Sequence, residues 1–183
     1  DPETAVAMDN ELNEMGAIAI IGHSFSNVAV STVQNANAND ILLISPSIGT
    51  DSLTGIKDNF IRLVPTATYE AYQITKRIID SGSVKILFVH DEQNTSLTGY
   101  HEVEFIRYMT ELGLNPLTYG YDASDTNDYA EIMEVIKSEN IETVFIVGSS
   151  LDSANIIQLA RSEELELLYH LSAWASSGDI ASR

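Results

Sequence analysis

A doubly wound α/β fold built on parallel sheet is predicted by two features of this chain. Short, unbroken apolar runs alternate with stretches of helical periodicity almost to the end, and each run stops at a cluster of Gly, Ser, Pro, Asn or Asp. Strands that are apolar throughout are buried on both faces, which requires helices on both sides of a parallel sheet.

The elements follow in order. Residues 1–15 read as a helix: Ala5, Met8, Leu12 and Met15 fall at helical spacing, and Pro2 with Glu3 suits a first turn. Ala17-Ile18-Ala19-Ile20-Ile21 reads as a buried strand ending at Gly22. A helix over 26–38 and a strand over 41–44 come next, the strand stopped by Ser45-Pro46. A third strand, 60–64, ends at Pro65. From Thr68 the rhythm restarts. Helices over 69–81, 99–112, 125–139 and 151–162 alternate with strands over 84–89, 114–119, 143–147 and 165–171. Val103, Ile106, Met109 and Leu112 lie on or near one helical face. Pro65 and two nearby threonines interrupt the pattern, so a domain boundary is placed near 64–68.

Composition narrows the function. The chain has 183 residues, 44% of them hydrophobic, enough for real cores and too apolar for disorder. Its 27 acidic against 9 basic residues give a formal net charge of −18. That field repels phosphate backbones and anionic lipid, so nucleic-acid binding is disfavoured. There is no cysteine, which excludes disulfides, thiol catalysis and zinc–thiolate sites. No run approaches the roughly 20 apolar residues of a membrane span. No signal-peptide pattern opens the sequence, so any export signal lies outside it.

Ligands of open parallel sheets sit at the carboxyl ends of the strands. The turns there cover 22–27, 45–50, 90–95, 148–150 and 172–176, and most are dense in Ser, Thr or Asn. They supply hydroxyls, amides and helix N-termini with few charges. That inventory suits holding a small polar molecule by hydrogen bonds and suits acid–base chemistry poorly.

At these turns the chain resembles the type I periplasmic binding proteins, in particular the leucine/isoleucine/valine-binding branch. Asp1-Pro2-Glu3-Thr4-Ala5-Val6-Ala7 is similar to the family's first helix, and Ile20-Ile21-Gly22-His23-Ser24-Phe25-Ser26 to its first ligand-facing turn. Ile41-Leu42-Leu43-Ile44-Ser45-Pro46-Ser47 and Phe60-Ile61-Arg62-Leu63-Val64-Pro65 match the next two segments in register. Val89-His90-Asp91, Gly148-Ser149-Ser150 and Ser172-Ala173-Trp174 fall where the second lobe's ligand-facing turns belong. The resemblance implies two α/β lobes closing on a small amino acid or related carboxylate, outside the cytoplasm (periplasmic or extracellular), for a membrane ABC permease. It implies no catalysis, cofactor or metal. Residues 1–66 correspond to a partial first lobe and 67–183 to most of the second, so the chain is expected to be a piece of a longer protein. The first lobe's sheet is then incomplete, exposing strand edges or apolar faces, and is expected to be marginal alone or to form a homodimer with a second copy.

The resemblance also assigns site residues. Ser26, at a strand-to-helix junction, takes the ligand carboxylate with the helix's free N–H groups; a plain N-cap serine is the alternative. Ser47 offers a backbone carbonyl to the ligand ammonium, unless Ser45-Pro46-Ser47 is only a turn. Gly49 stands where the family has a threonine, and Thr50 is expected to replace its hydroxyl. Thr95 and the Ser149–Ser150 pair stand where relatives carry tyrosines, leaving a roomier pocket or one filled by Tyr69, Phe25 and Trp174. Trp174, the only tryptophan, lies near a family position occupied by an acid, but residues 173–175 contain none. It can stack on a ring or cover an aliphatic chain, or simply pack in a core. His23, His101 and His170 read as surface or turn residues. Asp122, Asp125 and Asp128 lack the Gly and Glu of a calcium loop and read as helix caps.

Two other classes fit parts of the sequence. Gly22-His23-Ser24-Phe25 after a strand resembles the nucleophile elbow of α/β-hydrolases, with Ser24 attacking an ester. Ser26 stands where that elbow needs a small residue such as Gly, and about 21 residues precede Gly22, too few for the oxyanion loop. A sensor or receptor domain of the same fold would bind by identical physics and differ only in its partner.

Overall fold

The computed structural model describes residues 1–125 and 127–176. The chain divides into two compact units. The first is Asp1–Tyr69 with Asn94–Tyr100; the second is Glu70–Gln93 with the chain from His101 onward.

The first unit opens with α1 (Pro2–Glu14). Asp1 caps it by accepting the Thr4 N–H at 2.9 Å, and Pro2 occupies the first turn, where no amide hydrogen is missed. Then come β1 (Ala19–Ile21), α2 (Ser26–Ala38), β2 (Leu42–Ser45), a 3-10 turn at Asp51–Leu53 and β3 (Phe60–Arg62). The sheet has order β1-β2-β3 and is parallel throughout, with Ile20 beside Leu43 and Ile44 beside Ile61. Its core joins Ala29, Val33 and Ala36 of α2 to Ile20, Leu43 and Ile48. Small residues on α2 let the helix lie close to the strands.

The expected incompleteness of this sheet is visible. Ile21 on the edge strand and Ile18 beside it are 83% and 86% exposed, and Met8 and Leu12 of α1 and Met15 just after it are also open to solvent. Side chains of this kind are normally covered.

The second unit contains most of α3 (Ala67–Asp80), then β4 (Ile86–Asp91), a 3-10 turn at Glu92–Asn94 and most of α4 (Thr95–Glu111). β5 (Leu117–Tyr121), α5 (Asn127–Glu139), β6 (Thr143–Val147), α6 (Ser150–Ser162), β7 (Leu168–Leu171) and a 3-10 turn at Ala173–Ala175 follow. Both α3 and α4 begin in the first unit and continue in the second. The sheet order is β5-β4-β6-β7, again all parallel. The two central strands are buried almost end to end. Alternate residues serve opposite faces. Leu87, Val89, Val144 and Ile146 pack on α5 and α6, while Phe88 and Phe145 pack on α3 and α4. Phe88, Phe105 and Phe145 form a ring cluster with centroids 5.2–5.4 Å apart.

Several ends differ from the sequence reading. α4 begins at Thr95, not near 99, because Leu97 and Thr98 are buried and draw a Gly-, Ser- and Thr-rich stretch into the helix. β4 runs on to Asp91, carrying His90 and Asp91 into the ladder opposite Gly120 and Tyr121. β7 starts at Leu168, three residues later than the apolar run, since Leu165 is spent closing the end of α6 through its N–H to Ala160.

Phe145→Ala removes the centre of the ring cluster. It is expected to cost about 3–5 kcal/mol, read as a lowered urea midpoint with an unchanged slope.

Candidate functional site

In the first unit the turns after β1 and β2 are stitched together. Ser45 ends β2 fully buried, and its hydroxyl donates to the His23 carbonyl at 2.8 Å while accepting the N–H groups of Ser47 and Ile48. The Ser47 hydroxyl donates to the Ser24 carbonyl at 3.1 Å. His23 turns its Nε2 to the buried Asp9 carboxylate at 3.0 Å, fastening this turn to α1. Arg62 donates to the Thr50 carbonyl at 2.8 Å and braces the second turn from β3.

Ser26 is the first residue of α2, and Phe25 is the cap residue with no side-chain capping bond. The Ser26 side chain is therefore not an N-cap. It is 2% exposed, and its hydroxyl oxygen has no hydrogen-bond partner among the described residues. A buried hydroxyl left this way costs about 1–3 kcal/mol and is normally explained by something that binds it. Ser26 thus sits beside the unsatisfied N–H groups and positive dipole end of a helix of 13 residues.

The neighbouring candidates behave differently. Thr50 is fully buried, and its hydroxyl caps the 3-10 turn by accepting the Ser52 N–H. Gly49 is closely packed, since a Cβ there would come 3.1 Å from the Leu97 side chain and 3.4 Å from the Pro65 carbonyl. Ser47 is exposed. Phe25 and Tyr69 present rings 51% and 57% exposed. Leu97 on Gly49 also explains why Asn94–Tyr100, and with it Thr95, groups with the first unit. Thr95 is exposed; beside it Asn94 is buried with an unpartnered Oδ1.

In the second unit the strand-end turns satisfy most of their own polar groups. Ser149 caps α6, and its hydroxyl donates to Asp152 at 2.6 Å. The Asp152 carboxylate also receives the hydroxyl of Tyr129 at 2.8 Å and that of Tyr121 at 3.4 Å. A buried carboxylate is tolerated because hydroxyls surround it. Burial beside Asp152 and Asp91 pushes the Tyr121 hydroxyl far above its ordinary range, so it stays a donor. Ser150, half-buried, is the first residue of α6. Trp174 lies half-buried in the 3-10 turn after β7; the Ala173 N–H of that turn is held by the Glu70 carboxylate, which also meets His101 Nε2 at 3.0 Å. Ser172, just before it, is buried with an unpartnered hydroxyl.

The histidines correct the sequence reading. His101 is completely buried, not a surface or turn residue, because the Glu70 carboxylate satisfies its Nε2 inside the unit. His170 lies within β7, where burial lowers its pKa. His90 is likewise held below its ordinary value by burial, which outweighs the pull of Glu102, Glu92 and Asp91. Asp122, Asp125 and Asp128 are engaged by backbone N–H groups of Ser124, Asn127 and Asp122 respectively. Among the described residues no cluster of three or more His, Cys, Asp or Glu could hold a metal. The turns carrying Ser45, Asn94, Ser172 and Glu70–Ala173 were legible only in part; a serine directly after a buried strand and before proline was the one available signal, at Ser45.

Solved structures of similar shape include solute-binding proteins. A leucine-binding protein from Thermotoga maritima superposes with a TM-score of 0.84 at 17% identity, covering 100% of this chain and 52% of that one. An ABC-transporter solute-binding protein from R. palustris, in complex with benzoate, gives 0.82 at 19% identity, covering 100% and 51%. A leucine-, isoleucine-, valine-, threonine- and alanine-binding protein from Brucella ovis, in its closed conformation, gives 0.77 at 19%, covering 98% and 50%. These likenesses place the chain in the type I binding-protein fold class, with the first lobe incomplete. The chain spans about half the length of each of those proteins. Over residues 1–181 it matches the family profile described as periplasmic binding protein, and it belongs to that family. No curated protein sequence matches it. The family is one of binding proteins, which favours that reading over a hydrolase with Ser24 as nucleophile.

Two outcomes test this geometry. Burial, with Asp152 and Asp122 adding to it, raises the Asp91 pKa, against the Gln93 N–H that lowers it. A raised carboxyl pKa stabilises the folded state at low pH, and that contribution is lost as pH rises through the raised value. Asp91→Asn keeps the acceptor for Gln93 and removes the charge. Its Tm is expected above wild type at pH 7, with the gap closing in melts at pH 4. Separately, a Cβ at Gly148 would collide with the Tyr121 hydroxyl oxygen. Gly148→Ala is expected to lower Tm by several degrees, and Gly148→Ala with Tyr121→Phe to recover most of it.

Proposed function

We propose that this chain is the solute-gripping part of an extracytoplasmic solute-binding protein, which captures a small amino acid or related carboxylate and presents it to a membrane ABC permease. One observation carries the reading: the buried, unpartnered Ser26 hydroxyl at the N-terminal end of α2. A ligand carboxylate there would satisfy that hydroxyl and the free N–H groups while meeting the positive end of the helix dipole. The ligands named for the neighbouring proteins support a carboxylate as the common feature, since leucine and benzoate both carry one.

Ser47 then offers its backbone carbonyl, and Gly49 and Thr50 shape the turn with backbone groups, because the Thr50 hydroxyl is occupied. Phe25 and Tyr69 supply aromatic surface. Thr95, Ser149, Ser150 and Trp174 complete the proposed set, with Ser149 acting through helix-end geometry rather than a free hydroxyl. An aromatic carboxylate is the second reading. It is favoured by the absence of an acid at 173–175 to pair with an ammonium, and by the tryptophan ring there. A sensor domain would use the same contacts. The net charge of −18 is consistent with a partner other than nucleic acid.

Calorimetry of the intact protein against leucine, isoleucine, valine, benzoate and 4-hydroxybenzoate separates these readings. Ser26→Ala is expected to weaken the best ligand by about 1–3 kcal/mol. Unchanged affinity in that variant removes Ser26 from the site.

A further inference from the structure

The 3-10 turn Ala173–Ala175 has an unusual anchor. Its first N–H, that of Ala173, is a donor the turn cannot satisfy internally. The residue in the capping position, Ser172, makes no side-chain capping bond, and its buried hydroxyl has no partner among the described residues. The cap comes instead from 103 residues away: Oε1 of Glu70, in the first turn of α3, accepts the Ala173 N–H. The other oxygen of the same carboxylate meets Nε2 of His101 on α4 at 3.0 Å. His101 is fully buried and packs edge-on against Phe145, with centroids 6.3 Å apart, so its ring cannot swing away. Within the turn, Ala175 N–H donates to Ser172 and Ser176 N–H to Ala173, and Ser172 N–H continues the β6–β7 ladder to Ile146.

We infer that Glu70, braced by His101, is a positioning residue of Trp174: its carboxylate fixes the start of the turn bearing the tryptophan. A hydrogen bond from a backbone amide to an ionised carboxylate is about twice as strong as a neutral one, and the second oxygen is held by an immobile imidazole. Glu70 and His101 are also the first residues of the second unit on α3 and α4, the two helices that enter it from the first. One carboxylate therefore ties the Trp174 turn to both helices where they enter the unit. The inference about the turn stands on these contacts alone. Its bearing on solute capture rests on the proposed role of Trp174 as a solute contact.

The test uses the fact that Trp174 is the only tryptophan of the 183 residues, so its emission reports on this turn and nothing else. Glu70→Ala is expected to move the emission to longer wavelength and increase acrylamide quenching, with far-UV dichroism retained. Glu70→Gln, which keeps an acceptor for the Ala173 N–H, is expected to stay close to wild type. Ala173→Pro removes the donor without touching Glu70. The backbone accepts it, because Ser172 is extended (φ −69°, ψ 162°) and the first position of a helical turn tolerates proline. It is expected to reproduce the Glu70→Ala spectrum, and it decides the question if Glu70→Ala fails to fold. Emission unchanged in Ala173→Pro, or lost equally in Glu70→Gln and Glu70→Ala, overturns the inference. In the intact protein Glu70→Ala is expected to weaken solute binding about tenfold, with Trp174→Ala as the control. If Trp174→Ala binds solute normally, the solute-contact role of Trp174 falls, while the fluorescence result still decides the role of Glu70.

Discussion

Burial of β4 and β6 on both faces is the constraint on which the second unit depends. Their side chains feed two separate cores, one under α5 and α6 and one under α3 and α4. Polar side chains in the middle of such strands would lose water without gaining partners. They gather instead at the carboxyl ends, where His90, Asp91, Tyr121 and Ser149 stand within a residue or two of the last ladder position. β2 repeats the arrangement on a smaller scale, with Leu43 fully buried and Ser45 closing the strand. The chemistry of the molecule is thus sorted along the strand axis by desolvation before any ligand is considered.

The two units then use those strand ends differently. In the second, Ser149, Tyr121 and Tyr129 converge on Asp152, while the buried Ser172 hydroxyl has no partner among the described residues. In the first, Ser45 and Ser47 bind the two turns to each other, and Ser26 is left over. A hydroxyl committed to an internal bond contributes shape to a binding site, whereas an uncommitted one contributes affinity. That distinction separates Thr50 and Ser149 from Ser26, although all three are hydroxyl residues at helix starts.

Local periodicity made most of the fold legible. α2 and β6 coincide with the sequence reading because their apolar spacing is unbroken and their flanks are polar. The start of α4 was hidden because Thr95-Ser96-Leu97-Thr98-Gly99 has the composition of a loop, and only the burial of Leu97 makes it helical. The strand-end windows were readable from topology. The role of each residue inside them was not, because it depends on partners far along the chain. Asp152 meets tyrosines 23 and 31 residues away, and Glu70 meets Ala173 across 103. Nothing about a glutamate in the first turn of an amphipathic helix distinguishes it from a solvated one. The serine of α2 is a case between these: its place near a helix start was evident, but its displacement from the capping position is a matter of one backbone residue, Phe25, being extended.

The open edge of β1 has a colloidal consequence for this stretch of chain handled by itself. Ile18 and Ile21 flank a strand that, among the described residues, pairs on one side only, the arrangement that templates strand addition between molecules. At neutral pH a net charge of −18 keeps copies apart by mutual repulsion. Acidification discharges the carboxylates and leaves the sticky edge unopposed, so mild acid is the condition under which this polypeptide precipitates first.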